Sequence, residues 1–162
     1  MMKSKKIAYL SVMTCIALVI FAVEAQIPPL VPIPGIKLGL ANIITLITLV
    51  YFGKREALAV LFVRIVLASL FAGTVTGFLY SIAGGLLSFL VMCLMLKISG
   101  KEKLWAVSAF AAMAHNTGQI CVAAIITQTV QIFWYLPFLI ISGIITGVFT
   151  GLCAGLVLKY LK

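Results

Sequence analysis

Six long apolar stretches, separated by short breaks, constrain the fold of this chain more than any other feature. Hydrophobic residues make up 64% of the 162 residues and charged residues only 9%, too few to cover a soluble domain. About 20 apolar residues in a helix cross the hydrocarbon core of a bilayer. We therefore predict an all-α integral membrane protein, a six-transmembrane-helix bundle folded as one membrane domain over residues 1–162. The stretches are Ile7–Val23, Leu38–Phe52, Ala57–Ala72, Gly77–Leu96, Leu104–Gln128 and Leu136–Leu158.

The second and third stretches are the shortest and reach roughly 22–24 Å as helices. To cross the bilayer, these helices would need to include flanking residues or to tilt little from the membrane normal. Residues 57–96 together are too long for one crossing. The segment Gly73-Thr-Val-Thr-Gly77 is the natural break between the third and fourth helices.

The basic residues predict the topology. Six crossings would place ten of the twelve lysines and arginines on one side, leaving Lys37 opposite and Arg64 within a span. Because basic loops stay inside, this asymmetry puts both termini in the cytoplasm of a multi-pass protein of the cell membrane. We therefore attribute the net charge of +9 to membrane topology and to contact with anionic lipid. We do not interpret it as a sign of nucleic-acid binding. The ten residues are Lys3, Lys5, Lys6, Lys54, Arg55, Lys97, Lys101, Lys103, Lys159 and Lys162.

The first stretch also has features of a signal peptide, with Val23-Glu24-Ala25 as a possible cleavage site. Cleavage would leave five helices and spoil the even number of crossings, so we expect the first helix to be retained. The four cysteines lie singly in separate stretches, so neither a disulfide framework nor a metal or other cofactor is expected.

The connector between the first two helices is unusually apolar and contains four of the five prolines. Proline is excluded from ordinary helix interiors, and non-helical backbone at membrane depth packs on protein or lines a cavity. We expect a proline-rich lid, Pro28–Pro34, over a binding site. The alternative is a re-entrant packing loop without a ligand.

Two polar sites lie within the apolar stretches. Arg64 must face the interior or snorkel, because a charge at that depth is costly. It either binds an anion or forms a structural pair with Glu24 or with carbonyls of the connector. In the fifth stretch, His115 and Gln119 are one turn apart, with Asn116 about 100° round the helix. This cluster favours a ligand pocket shared with Asn42 over simple packing.

A stripe of glycines marks the sixth helix, with one glycine every four residues. Small residues at this spacing allow close backbone approach, and packing within the chain is favoured over a partner-docking face. The stripe is Gly143, Gly147, Gly151 and Gly155.

No catalytic motif is present. The chain contains no aspartate, and its three glutamates, Glu24, Glu56 and Glu102, are scattered. Paired carboxylates, phosphate-binding loops, nucleophile elbows and zinc motifs are absent, so we do not expect an enzyme.

Three motifs together resemble the Gx transporter family, whose members are often labelled heptaprenyl diphosphate synthase component I. They are Ile33–Asn42, Phe78–Gly85, which contains Tyr80, and His115–Gln119. This family is similar to the S components of energy-coupling-factor transporters. The resemblance implies six helices, with the first external loop closing over a pocket near the outer face.

Two departures accompany the resemblance. S components commonly carry an alanine-xxx-alanine pattern on helix one for docking to the coupling subunit, whereas this chain offers only Ser11 and Cys15. Prenyl diphosphate synthases bind Mg²⁺–diphosphate through aspartate-rich motifs, which this chain lacks.

The leading functional hypothesis is a solute-binding transport component for a small, partly apolar, anionic molecule such as an isoprenoid or quinone-related precursor. Lys37 and Arg64 would neutralise its charge, and an energising module of coupling subunit and ATPases would supply energy. The alternatives are a non-catalytic subunit of a heptaprenyl diphosphate synthase and a purely structural scaffold. The candidate substrate-binding residues are Lys37, Asn42, Arg64, Tyr80, His115, Asn116 and Gln119.

Overall fold

In the computed structural model, which describes residues 3–27 and 37–161, the chain forms six α-helices and one 3-10 helix, with no strand in those ranges. The predicted lid, Pro28–Pro34, lies outside the described residues. The 3-10 helix covers Val130–Tyr135. The α-helices are α1 (Lys3–Glu24), α2 (Asn42–Tyr51), α3 (Lys54–Ala72), α4 (Val75–Ser99), α5 (Leu104–Thr127) and α6 (Leu136–Tyr160).

Four of the helical segments are long and apolar enough to cross a membrane, which indicates a multi-pass membrane protein. The expected six full spans are therefore found only in part. α2 has 10 residues, or about 15 Å of helix, and the 19 residues of α3 include four charged ones. These are Lys54, Arg55, Glu56 and Arg64. The four segments are Ser4–Glu24, Val75–Ser99, Leu104–Thr127 and Val130–Tyr160.

Two glycines with positive φ set helix boundaries, one where the structure differs from the prediction and one where it agrees. The second stretch was predicted to begin at Leu38, but Gly39 has a φ of +80°, which a right-handed helix cannot include, and α2 begins at Asn42. Gly73, with a φ of +65°, caps the end of α3, and its N–H bonds to the carbonyl of Ser69. The predicted break between the third and fourth helices is thus confirmed.

The basic segments meet at one end of the bundle. Lys6 near the start of α1 pairs with Glu56 near the start of α3. Lys101, between α4 and α5, donates to the carbonyl of Val50 near the end of α2 at 3.1 Å. Lys101 also lines one groove together with Lys159 of α6. That this end faces the cytoplasm stays a prediction.

Helix α5 lies at the centre, packed along its length between α4 and α6. Three glycines of the stripe allow this approach. A Cβ at Gly147 would lie 2.5 Å from Cα of Ala109, and one at Gly151 would lie 2.5 Å from Cα of Trp105. Gly143 faces the side chain of Asn116. The predicted packing role is wrong for Gly155, where an added Cβ would meet nothing within 4 Å.

Candidate functional site

A small cavity of about 20 Å³ lies among α1, α3, α4, α5 and the segment 37–39. A polar cavity of this size accommodates about one water molecule. Its lining combines charged and polar side chains with apolar ones. The lining residues are Phe21, Glu24, Lys37, Gly39, Arg64, Ile65, Ala68, Ser81, His115 and Gln119.

A buried hydrogen-bond network centred on Asn42 joins two of the lining side chains, Arg64 and His115. Nη2 of Arg64 donates to Oδ1 of Asn42 at 3.3 Å. Because guanidinium only donates, this contact fixes which end of the Asn42 amide is oxygen. The amide nitrogen Nδ2 then contacts Oγ of Ser88 at 3.3 Å and Nδ1 of His115 at 3.2 Å. Nδ1 of His115 must therefore accept, which makes the ring neutral, with its proton on Nε2.

The segment 37–39 closes the cavity through two backbone donors. The N–H of Lys37 donates to Oε1 of Gln119 at 3.3 Å, and that of Gly39 donates to Oε1 of Glu24 at 2.6 Å. A Cβ at Gly39 would lie 2.9 Å from Cδ2 of His115, so glycine is needed for this close approach as well as for its positive φ. The segment therefore ties α1 to α5 across the cavity.

Three charged side chains line the cavity without a direct ion pair between them. Among the described residues the one ion pair is that of Lys6 with Glu56. Glu24 and Arg64 are each 5% exposed, and Nε of Arg64 has no hydrogen-bond partner in the described ranges. An unpaired donor in a buried guanidinium is costly and marks a place for an acceptor.

Lys37 is the least buried of the three. Its ammonium lies 3.3 Å from the centre of the Phe21 ring, a cation–π contact. Burial lowers the pKa of Lys37, and the carboxylate of Glu24 acts in the opposite direction. Lys37 thus stands at the edge of the cavity, close to a carboxylate and an aromatic ring.

A wider apolar groove adjoins this edge between α1 and α3, with a volume of about 560 Å³. Phe21, Lys37 and Ala68 line both the groove and the cavity. The other residues of the groove are Cys15, Leu18, Val19, Ala22, Ala25, Phe71 and Ala72. The polar cavity therefore adjoins an apolar surface on α1 and α3.

Comparison with protein-family models matches residues 13–157 to the description "Heptaprenyl diphosphate synthase component I". The chain belongs to this family. Searches of curated proteins and of solved structures found no match. The family assignment agrees with the resemblance carried by the three sequence motifs, which all fall within or overlap the matched range.

In this member of the heptaprenyl diphosphate synthase component I family, five of the seven candidate residues come together. Lys37, Arg64, His115 and Gln119 line the cavity, and Asn42 joins Arg64 to His115. Whether they bind a substrate stays a prediction.

The other two candidates lie elsewhere. Nδ2 of Asn116 donates to the carbonyl of Leu139 in α6 at 2.6 Å, so Asn116 belongs to the contact between α5 and α6. Tyr80 packs in an apolar cluster that includes Ile120 and Leu139. The 100° rotation between neighbouring helix positions separates Asn116 from the face that carries His115 and Gln119.

Sequence reasoning did not assign a binding role to Glu24 or Ser88. A signal existed for Glu24, because it is the lone carboxylate at the end of an apolar stretch and was a candidate partner for Arg64. For Ser88 the sequence carries no comparable signal, since serine is common in membrane helices as a small packing residue.

We expect Asn116→Ala to lower stability without lowering solute affinity per folded molecule. The substitution removes one buried hydrogen bond between α5 and α6, worth about 1 kcal/mol. Thermal melting in detergent, beside binding titrations corrected for the folded fraction, measures both effects. His115→Ala is the paired variant and should lower affinity. Loss of affinity in Asn116→Ala with unchanged melting would contradict this assignment.

Proposed function

We propose that this chain is a membrane solute-binding component, similar in role to the S components of energy-coupling-factor transporters. Its solute is a small, partly apolar, anionic molecule such as an isoprenoid or quinone-related precursor. The observation that carries the proposal is the cavity in which Nε of Arg64, beside Lys37 and Glu24, has no partner among the described residues. Ionisable groups at membrane depth are costly and are typical of substrate pathways.

A purely structural role for Arg64 accounts for less of this geometry. A structural pair would bring Arg64 directly against Glu24, whereas the carboxylate instead accepts the N–H of Gly39. Within residues 3–27 and 37–161, the guanidinium makes one hydrogen bond, to Asn42. Its remaining donor capacity is consistent with an oxygen acceptor that comes from outside the chain.

Solute binding requires the cavity to open, because a volume of about 20 Å³ is smaller than any such molecule. The segment 37–39 closes it with two hydrogen bonds, to Gln119 and to Glu24. Two hydrogen bonds contribute only a few kcal/mol at most, so contacts with a solute can replace them. We infer that movement of this segment accompanies binding.

We also propose that α2 and α3 lie in the membrane with the four long helices, which gives six crossings. Contacts of α2 with α1, α3 and α6 support a position inside the bundle. Positive charge at one end of the bundle supports a cytoplasmic location for that end and for both termini.

The chain is proposed to have no catalytic activity, because it contains no aspartate and no nucleotide-binding motif. A coupling subunit with ATPases would supply the energy. A groove lined by Ser11 and Cys15 of α1 and by Ala59 of α3 supports a docking face on this side. Anionic lipid is the expected contact of the basic end, and no nucleic acid is expected.

The family description favours a second candidate, a non-catalytic membrane subunit of a heptaprenyl diphosphate synthase. Such a subunit would act on a separate enzyme that carries the aspartate-rich diphosphate site. It would not need a buried arginine whose Nε has no partner among the described residues, which is why we place it second.

Purification of the tagged protein from its native membrane, followed by identification of bound proteins, separates the two candidates. A solute-binding component should be accompanied by an ATPase module, or should bind solute alone as the isolated chain. A synthase subunit should be accompanied by an aspartate-rich prenyl synthase and should bind no solute by itself. The latter pair of results would overturn the proposal.

Lys37→Gln should lower solute affinity roughly tenfold and weaken its dependence on salt. Lys37 is the only basic residue predicted on its side, and its ammonium lies at the edge of the cavity, where it can attract an anion. Titrations at low and high ionic strength measure both effects, and Lys37→Arg is the matched control that keeps the charge. Unchanged affinity and salt dependence in Lys37→Gln would show that the residue contacts lipid headgroups instead.

A further inference from the structure

The charges that line the cavity sum to a single positive charge. Arg64 and Lys37 contribute two positive charges and Glu24 one negative charge, while the bond from Asn42 makes His115 neutral. None of the remaining lining residues is ionisable. A buried site at membrane depth favours a ligand whose charge cancels the net charge of the site. A ligand that leaves an uncompensated charge is bound weakly, because a buried charge is costly.

Nε of Arg64 indicates where the negative charge of a ligand would bind. Nε of Arg64 faces no acceptor in the described ranges, and Nη2 is already bonded to Asn42. A carboxylate can accept from a guanidinium through both of its oxygens. The polar end of a ligand would therefore meet Arg64, and Lys37 lies on the way to it from the groove.

The apolar remainder of such a ligand has an adjoining apolar surface to occupy. The groove between α1 and α3 shares Phe21, Lys37 and Ala68 with the cavity. Its volume of about 560 Å³ falls within the range of small-molecule sites. Lys37 is the one charged residue among the described residues that line it. The groove opens on the outer face of α1 and α3, where Val19 and Phe71 are exposed.

We propose that the ligand is an amphipathic monoanion, with a carboxylate at Arg64 and Lys37 and an apolar part in the α1–α3 groove. This inference rests on the proposed solute-binding function and narrows its substrate class. An isoprenoid or aromatic carboxylic acid meets both requirements. A prenyl diphosphate does not, because it would bring about three negative charges to a site that neutralises one.

Calorimetric titration of the purified chain with four probes tests the charge requirement. Hexanoate carries one negative charge, hexyl phosphate about two at pH 8, and hexanol none, while acetate has the charge without the tail. We expect hexanoate to bind at least tenfold more tightly than each of the others.

Glu24→Gln tests the same requirement from the protein side. The amide keeps an oxygen for the N–H of Gly39 while the site gains a positive charge. The preference for hexanoate over hexyl phosphate should fall by roughly tenfold. An unchanged preference would overturn the single-charge assignment.

Ala22→Trp tests the groove. Ala22 is an exposed residue of α1 that lines the groove but not the cavity, so tryptophan would fill the groove and leave the charged groups in place. Hexanoate binding should weaken at least tenfold while acetate binding stays unchanged. Ala8→Trp is the matched control, because Ala8 is exposed on α1 and does not line the groove.

The outcomes separate this inference from the proposed function. If hexyl phosphate binds more tightly than hexanoate and requires Arg64, the chain binds solutes but the monoanion assignment is wrong. If Ala22→Trp and Ala8→Trp behave alike toward hexanoate, the groove assignment is wrong. If no probe shows binding that depends on Arg64, both the inference and the solute-binding function are overturned.

Discussion

Arg64→Gln should lower solute affinity by roughly a hundredfold or more while the protein remains folded. Arginine supplies the buried positive charge and the unpartnered Nε in the cavity, and glutamine supplies neither. The glutamine amide can still donate a hydrogen bond toward Asn42, so the network loses its charge without losing every donor. Calorimetric titration with hexanoate measures the affinity, and thermal melting in detergent measures the folded fraction.

Two further variants make this result interpretable. Arg55→Gln is the matched control, because it makes the same change in an exposed residue near the start of α3 and should leave affinity unchanged. Arg64→Lys keeps the charge but loses the planar donor pattern, so it should bind more weakly than wild type and more tightly than Arg64→Gln. If Arg64→Gln binds as wild type does, Arg64 is a structural residue and the cavity is not a charge-recognition site.

Gly147→Ala should cause one of the largest losses of stability of any single methyl addition in the chain. The new Cβ would lie 2.5 Å from Cα of Ala109 and 2.8 Å from the backbone oxygen of Ser108. Backbone atoms cannot rotate away as a side chain can, so α5 and α6 must separate. Overpacking of this kind costs about 1–3 kcal/mol, and the upper end is expected here because the close contacts that hold membrane helices together are lost.

Gly155→Ala is the control for this prediction, because it adds the same methyl to the same helix where nothing lies within 4 Å. It should melt at or above the wild-type temperature, since alanine favours helix over glycine by up to about 1 kcal/mol. Gly151→Ala should behave like Gly147→Ala, because its Cβ would also meet backbone atoms. Equal melting temperatures for Gly147→Ala and Gly155→Ala would refute the tight packing of α5 on α6.

Long apolar stretches predicted the helices well because burial in lipid leaves backbone groups no partner except each other. The glycine at position 73 predicted a break correctly for a local reason, its freedom to adopt positive φ. The start of α2 was predicted too early, because Leu38 and Leu40 are apolar and hide the non-helical conformation of Gly39. Hydrophobicity alone does not report backbone conformation.

The sequence predicted that polar side chains of α5 lie together, but it did not predict which of them line the cavity. His115 and Gln119 share a face by helix geometry, and their joint position at the cavity follows from that spacing. Asn116 differs because its side chain meets α6, and the rotation of a helix in its bundle depends on packing between helices. Glu24 could not be assigned to the site from the sequence, because its contact with the N–H of Gly39 spans 15 residues of the chain.

The glycine stripe illustrates the same limit. Its four-residue spacing predicts one face of α6, and three of its members do contact α5. Gly155 lies on the same face but beyond the region in close contact, beside the groove that Lys101 and Lys159 line. Periodicity specifies which side of a helix packs but not how far along the helix the packing extends.

Mass spectrometry of the small molecules retained by gently purified protein tests the solute-binding account most directly. Wild-type protein and Arg64→Gln would be purified in parallel from the same membranes and their bound molecules released and compared. We predict a small, partly apolar carboxylate that the wild type retains and Arg64→Gln does not. The same molecules on both proteins, or none on either, would contradict the account.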